Sequence, residues 1–189
     1  MLERTPQSEE LVRHWISWRE ASGRDVPGRA ALKPYHLPEL IPDITLGFVH
    51  TAGIKVLLAG SHITERIGVE IAGRDYMEFI SSSQQAAVLQ VVQLVCDFPV
   101  GVCVQMTSAY QRGYTLALEV TLLPLCGETG AVDHVIALSV PDREKHSVPQ
   151  SSFRGDPVEA DWNGPIGWID LGCGVPAQSP TGLTQKAAP

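Results

Sequence analysis

Between Ser81 and Pro141 the chain carries a single basic side chain, Arg112, at an expected turn. Three apolar runs fill most of that stretch: Val100 to Tyr110, Tyr114 to Cys126 and Asp133 to Val140. Segments this poor in charge belong in a core, and their internal period tells how. In the second run Leu116, Leu118, Val120 and Leu122 alternate with Thr115, Ala117, Glu119 and Thr121, so the pattern predicts a strand with one dry face and one wetter face. Three consecutive strands joined by short glycine-containing turns predict an antiparallel arrangement.

Upstream of these strands the pattern changes twice. Ser8, Glu9 and Glu10 read as a helix cap with an acidic first turn, followed by Leu11, Trp15 and Trp18 at spacings of four and three, and the helix is expected to end near Gly23. Its tryptophan stripe must meet either the domain's own sheet or a second subunit, and the sequence leaves both open. Pro27, Pro34, Pro38 and Pro42 then make residues 24–42 a connector. Ile44 to Thr51 and Ile54 to Gly60 read as a hairpin around Gly53, a short helix is expected from Ser61 to Ile67, and a longer one carries Val88, Val91, Val92 and Val95 before Pro99.

The 189 residues suit one domain with extras. No apolar run approaches the ~18 residues that cross a bilayer, and the first ten residues lack a secretory pattern, so a cytoplasmic location is expected. The net charge of -7 argues against nucleic acid as a partner. Four cysteines without a CxxC pair argue against zinc and disulfides. Residues 141–189 carry half of the 14 prolines, and are expected to be an irregular extension laid over the domain through Trp162, Trp168 and Ile169, with disorder from Ser179 to Pro189.

The stretch AGSHITERIGVEIAGR, Ala59 to Arg74, draws the chemical questions. Its glycines match neither dinucleotide nor P-loop spacing and are read as helix terminators. His62, with Glu65 and Arg66 one turn on, has no second histidine or cysteine at ligand spacing, which disfavours a metal or haem. No G-x-S-x-G frame occurs, and neither Cys96 nor Cys103 sits where a thiol is activated. No catalytic residue is assigned and the chain is not expected to be an enzyme. The residual enzymatic reading is a small hydrolase or lyase built on His62, Glu65 and Asp75.

The segments YHLPELIPDITLGFV, LLAGSHITERIGVEIAGRDYMEFI and LLPLCGETGAVDHVIALSV, within residues 8–140, resemble the single-domain PAS-like family of alphaproteobacteria. The resemblance implies an α+β fold, a five-stranded antiparallel sheet with short helices on one side and an N-terminal helix. It divides the chain into that helix (1–23), a PAS-like domain (24–140) and a Pro/Gly-rich extension (141–189). It also implies a sensory module that binds a small ligand or a signalling protein and has no output domain of its own. The candidate pocket comprises Leu58, His62, Ile63, Arg66, Ile67, Arg74, Tyr76, Phe79, Val104, Met106, Tyr110, Leu118 and Val120. The alternative is a homodimeric interaction scaffold joined through Leu11, Trp15 and Trp18. No cofactor is identified, and the asparagine-cysteine-arginine stretch of flavin-adduct PAS domains is missing from the sequence.

Overall fold

The computed structural model describes residues 4–110, 113–142 and 158–176. Helix α1 spans Pro6–Ser22. It begins two residues earlier than Ser8 because Pro6 presets the first turn and Thr5 caps it, its side chain accepting from the Ser8 N–H at 3.3 Å. Gly23, with φ of 65°, ends it by returning its N–H to the Arg19 carbonyl. The connector follows as three short 3-10 turns, with Val26, Leu37 and Leu40 buried beneath it.

Strands β1 (Ile44–His50) and β2 (Gly53–Ala59) form the expected hairpin, and α2 covers Ser61–Ile67. A 3-10 turn at Tyr76–Phe79 leads to α3, Gln85–Asp97, whose Val88, Val91, Val92 and Val95 are buried. Strands β3 (Gly101–Tyr110), β4 (Thr115–Cys126) and β5 (Val132–Pro141) complete the expected set. The turn at Arg112 lies outside the described residues.

Among the described residues the sheet has seven strands rather than five. Its order is β2-β1-β5-β4-β3-β6, with β7 also paired to β3, and every strand pairing is antiparallel. The two additional strands, β6 (Val158–Asp161) and β7 (Ile166–Ile169), come from the segment read as irregular. Four-residue strands between glycines and prolines show no periodicity of their own, so tertiary partners order them: the edge of β3 for both, and residues 80–84 for β6 as well. The disorder expected from Ser179 onward lies outside the described residues. Among those described, no helix is long and apolar enough to cross a membrane.

Both faces of the sheet are covered. On one, α3 and the 3-10 turn pack against Val102, Val104, Met106, Leu118, Val120 and Leu122. On the other, Leu11, Val12, Trp15 and Trp18 of α1 pack against Leu123, Leu125, Ile136 and Leu138. The tryptophan stripe is therefore buried inside its own chain, and Leu11, Trp15 and Trp18 are not available to a second subunit. Trp15 is fully buried and its indole donates to the Pro124 carbonyl at 2.7 Å. Pro124 is tolerated in a central strand because it lies past Leu122, where the β3 register ends.

The face of β4 expected to be wetter is also buried. Glu119, 4% exposed, points at the start of α1 and accepts from the Thr5 N–H at 3.0 Å, the Thr5 hydroxyl at 2.7 Å and the Ser8 hydroxyl at 2.5 Å. Thr121 donates to the Ser8 hydroxyl at 3.0 Å. A carboxylate facing a helix N-terminus is favoured by the unsatisfied N–H groups there, so the polar alternation encodes the docking site of α1.

Glu119→Ala strands the buried Ser8 hydroxyl and two half-buried donors of Thr5 and is expected to cost about 2–4 kcal/mol, with Glu119→Gln costing less because one acceptor oxygen remains. Urea unfolding monitored by tryptophan fluorescence checks both, and equal stability of wild type and Glu119→Ala would refute the docking role.

Candidate functional site

A cavity of about 70 Å³ lies between the α3-bearing face of the sheet and the short helices. That is several times the ~10–15 Å³ needed to hold one water. Its floor is made by inward-facing residues of β1 to β5. Its roof is made by α2, the Tyr76–Phe79 turn and Val92 of α3, and Ala160 and Trp162 close one side.

The glycine-punctuated stretch builds this roof. A Cβ at Gly60 would lie 2.2 Å from the Ile41 carbonyl oxygen, so glycine lets the connector press against the first turn of α2. Gly68, with φ of 80°, stops α2 one residue after Ile67. The glycines bring helices close and end them, and they make no anion cradle.

Of the expected pocket residues, Ile63, Arg66, Ile67, Tyr76, Phe79, Met106, Tyr110, Leu118 and Val120 line the cavity. Four stand elsewhere. Leu58 is 36% exposed because the β1–β2 register shifts between Leu46 and Gly47, so that Leu57 is an extra residue and Leu58 pairs with Leu46 on the opposite face from Val56. His62 is half-exposed and its Nδ1 lies 2.9 Å from Asp43. Arg74 points outward over the Phe79 ring and pairs with Glu78, its Nε donating at 3.1 Å. Val104 is sealed within the core, because β7 pairs with β3 at Ile166 on its far side.

Arg66 is the charged group of the cavity wall, 3% exposed. It donates to Asp43 Oδ1 at 2.6 Å and to the Ser139 carbonyl at 3.2 Å. Asp43 thus neutralises it and orients His62 as well. Burial pushes the Tyr76 hydroxyl up to about 12, opposed by the neighbouring Trp162 indole and the Arg66 charge. Burial likewise pushes Tyr110 up to about 12, against the same charge. Both phenols are therefore neutral donors at physiological pH.

Sequence reasoning missed much of the wall. Ile54, Val56, Leu122, Val135 and Ala137 line it along strands whose alternation could have revealed them, as do Thr45, Gly47, Ser108 and Ser139. Val92 follows from the α3 face. Ala160 and Trp162 carried no periodic signal.

The residues of the hydrolase reading do not converge. Asp75 Oδ1 accepts from the Ile54 N–H at 3.1 Å and the Met77 N–H at 3.0 Å, capping the 3-10 turn, while His62 faces Asp43. Cys96 and Cys103 are pushed up to about 12, chiefly by burial, so neither is an activated thiol.

The family model described as PAS domain matches residues 3–139. No curated protein matches the chain. Among solved structures, the Vibrio cholerae VqmA–ligand–DNA complex aligns at 19% identity over 57% of this chain and 49% of that one, with a TM-score of 0.46. An RNA-binding Light-Oxygen-Voltage receptor aligns at 20% identity over 61% of this chain and 34% of that one, with a TM-score of 0.47. The Rhodobacter sphaeroides LOV protein aligns at 13% identity over 59% and 69%, with a TM-score of 0.43. The chain thus spans half or less of the first and second of these proteins. Their descriptions name DNA and RNA, which overturns the expectation that a chain of this kind has no nucleic-acid partner. Net charge is an average over the whole surface, and it does not exclude a local or assembled binding face. The family match covers well over half of the chain, and the antiparallel sheet roofed by short helices agrees with it: the chain belongs to the PAS domain family.

Proposed function

We propose that this PAS domain is a sensory module whose cavity takes a small, mostly apolar molecule, and that its surface passes on whether the cavity is filled. The observation that carries this reading is the partly enclosed cavity itself, apolar nearly throughout and furnished with a neutralised Arg66 and the Tyr76 and Tyr110 hydroxyls. A well-packed core closes gaps of this size, since an unfilled void forfeits contacts with every atom of its lining. A wall that combines apolar area with few polar groups is the usual make-up of a small-molecule site. The interaction-scaffold alternative loses the surface assigned to it, because the stripe of α1 is buried.

A cavity ligand present at about 100 times its Kd stabilises the fold by about 2.7 kcal/mol. Native mass spectrometry of gently purified protein is expected to retain a small adduct, and a metabolite panel to raise Tm. Ala137→Leu, which adds volume at the wall, is expected to keep the fold and abolish both effects. No adduct and no shift with any compound would end the ligand reading.

The state of the tyrosines is tested by alkali. In the unfolded chain phenols ionise near 10.0 and thiols near 9.0, whereas Tyr76, Tyr110, Cys96 and Cys103 in the fold are held to about 12. Above about pH 9 the unfolded chain binds fewer protons than the folded one, so rising pH favours unfolding. Stability is expected to be insensitive to these groups below pH 9 and to fall progressively between 9 and 12. Urea midpoints against pH, with tyrosinate absorbance recorded in parallel, measure this. All tyrosines titrating near 10 in a still-folded chain would contradict it.

A further inference from the structure

The side of the cavity closed by Ala160 and Trp162 lies beyond residue 139, where the family match ends. Trp162 is 1% exposed, and its indole N–H is buried without a hydrogen bond of full geometry. The nearby Tyr76 hydroxyl donates only to the Met106 sulfur, at 3.9 Å, a weak acceptor. A buried donor left without an acceptor costs free energy, which an incoming acceptor would recover.

The strand that brings Trp162 is fastened on two sides. Along β3 it pairs from Thr107↔Asp161 to Tyr110↔Val158. Opposite, the Ser81 N–H donates to the Ala160 carbonyl at 3.1 Å, the Ser81 hydroxyl bonds Asp161, and the Trp162 backbone N–H donates to Gln84 Oε1 at 2.6 Å. Beyond it, Gly164 sits where a Cβ would fall 2.3 Å from that of Gln105, which keeps the chain close against β3 as it turns into β7.

Resting on the cavity reading above, we infer that Trp162 is the polar anchor of the site, receiving the hydrogen-bond acceptor of a small, neutral, ring-sized ligand, and that ligand occupancy is thereby coupled to the docking of residues 158–169 on the β3 edge. The class follows from the wall. Arg66 already has Asp43 as its counter-charge, so the cavity has no call for an anion, and a charged ligand would carry an uncompensated desolvation cost. At about 70 Å³ the cavity is under half of the ~150 Å³ that takes benzene, so one ring enters only with part of its surface toward the open side of the site. The Trp162 indole N–H has only the neighbouring Tyr76 hydroxyl, in poor geometry, and that hydroxyl has only a thioether, so a carbonyl or ring-nitrogen is the acceptor both lack.

Two probes of matched shape separate anchor from cavity: acetophenone, which carries a carbonyl acceptor, and ethylbenzene, which does not. With the full chain, calorimetry is expected to give acetophenone a five- to tenfold lower Kd, about the worth of one hydrogen bond. Trp162→Phe is expected to bring the two Kd values together while leaving ethylbenzene bound. Hydrogen exchange on the wild type reads the coupling without any variant, and acetophenone is expected to slow exchange of the amides in residues 158–169. Equal binding of the two probes by wild type, a preference that survives Trp162→Phe, or unchanged exchange in 158–169 would overturn the inference and leave the cavity reading standing. Binding of neither probe to wild type would overturn both.

Discussion

Strand β4 is buried on both faces along nearly its whole length, and every other element is placed by that fact. A strand with one wet face can end a two-layer domain, whereas one without must have a layer on each side. On the α3 side the covering is incomplete and a cavity results. On the α1 side it is tight, because the Glu119 carboxylate and the Trp15 indole fix the helix by polar contacts at two places along the strand. The N-terminal helix is therefore part of the core rather than an appendage.

The two layers differ in what they ask of side chains. Beneath α1, polar atoms are matched donor to acceptor, which fixes one arrangement and resists change. Around the cavity the matching is looser: Tyr76 has a thioether for a partner and Trp162 lacks a good one. The same sheet carries a rigid face and an adaptable one. β6 and β7 extend the adaptable side, so the wall made by Ala160 and Trp162 lies outside the segment that the family match covers.

Much of this could be read from residues alone. The three long strands followed from low charge and period-two alternation, the hairpin from Gly53, and α3 from its valine face. The nine expected residues that line the cavity followed from combining those faces with the PAS resemblance. What escaped was set by partners rather than by local pattern. Glu119 and Thr121 looked like a solvent face because alternation reports polarity, not who satisfies it. Leu58 was misplaced because a bulge leaves the composition of a strand unchanged while reversing its faces. His62 and Arg74 were drawn away by Asp43 and Glu78, pairings that depend on tertiary placement. β6 and β7 are strands because β3 offers an edge, with Ser81 and Gln84 holding β6 from its other side.

The extra residue at Leu57 has an effect reaching beyond the pocket. β2 ends the sheet, and a straight terminal strand presents a row of N–H and C=O groups on which another molecule can grow. An irregularity there breaks the spacing that such growth requires and twists the strand away from a flat approach. Turning Leu58 outward leaves an apolar side chain 36% exposed, while residues 73–75 hydrogen-bond along the outer edge of the same strand. The shift that defeats a simple reading of the pattern thus lies on a strand whose outer edge the chain itself occupies, the Val56 N–H donating to the Arg74 carbonyl at 2.9 Å and the Val56 carbonyl accepting from the Gly73 N–H at 2.7 Å.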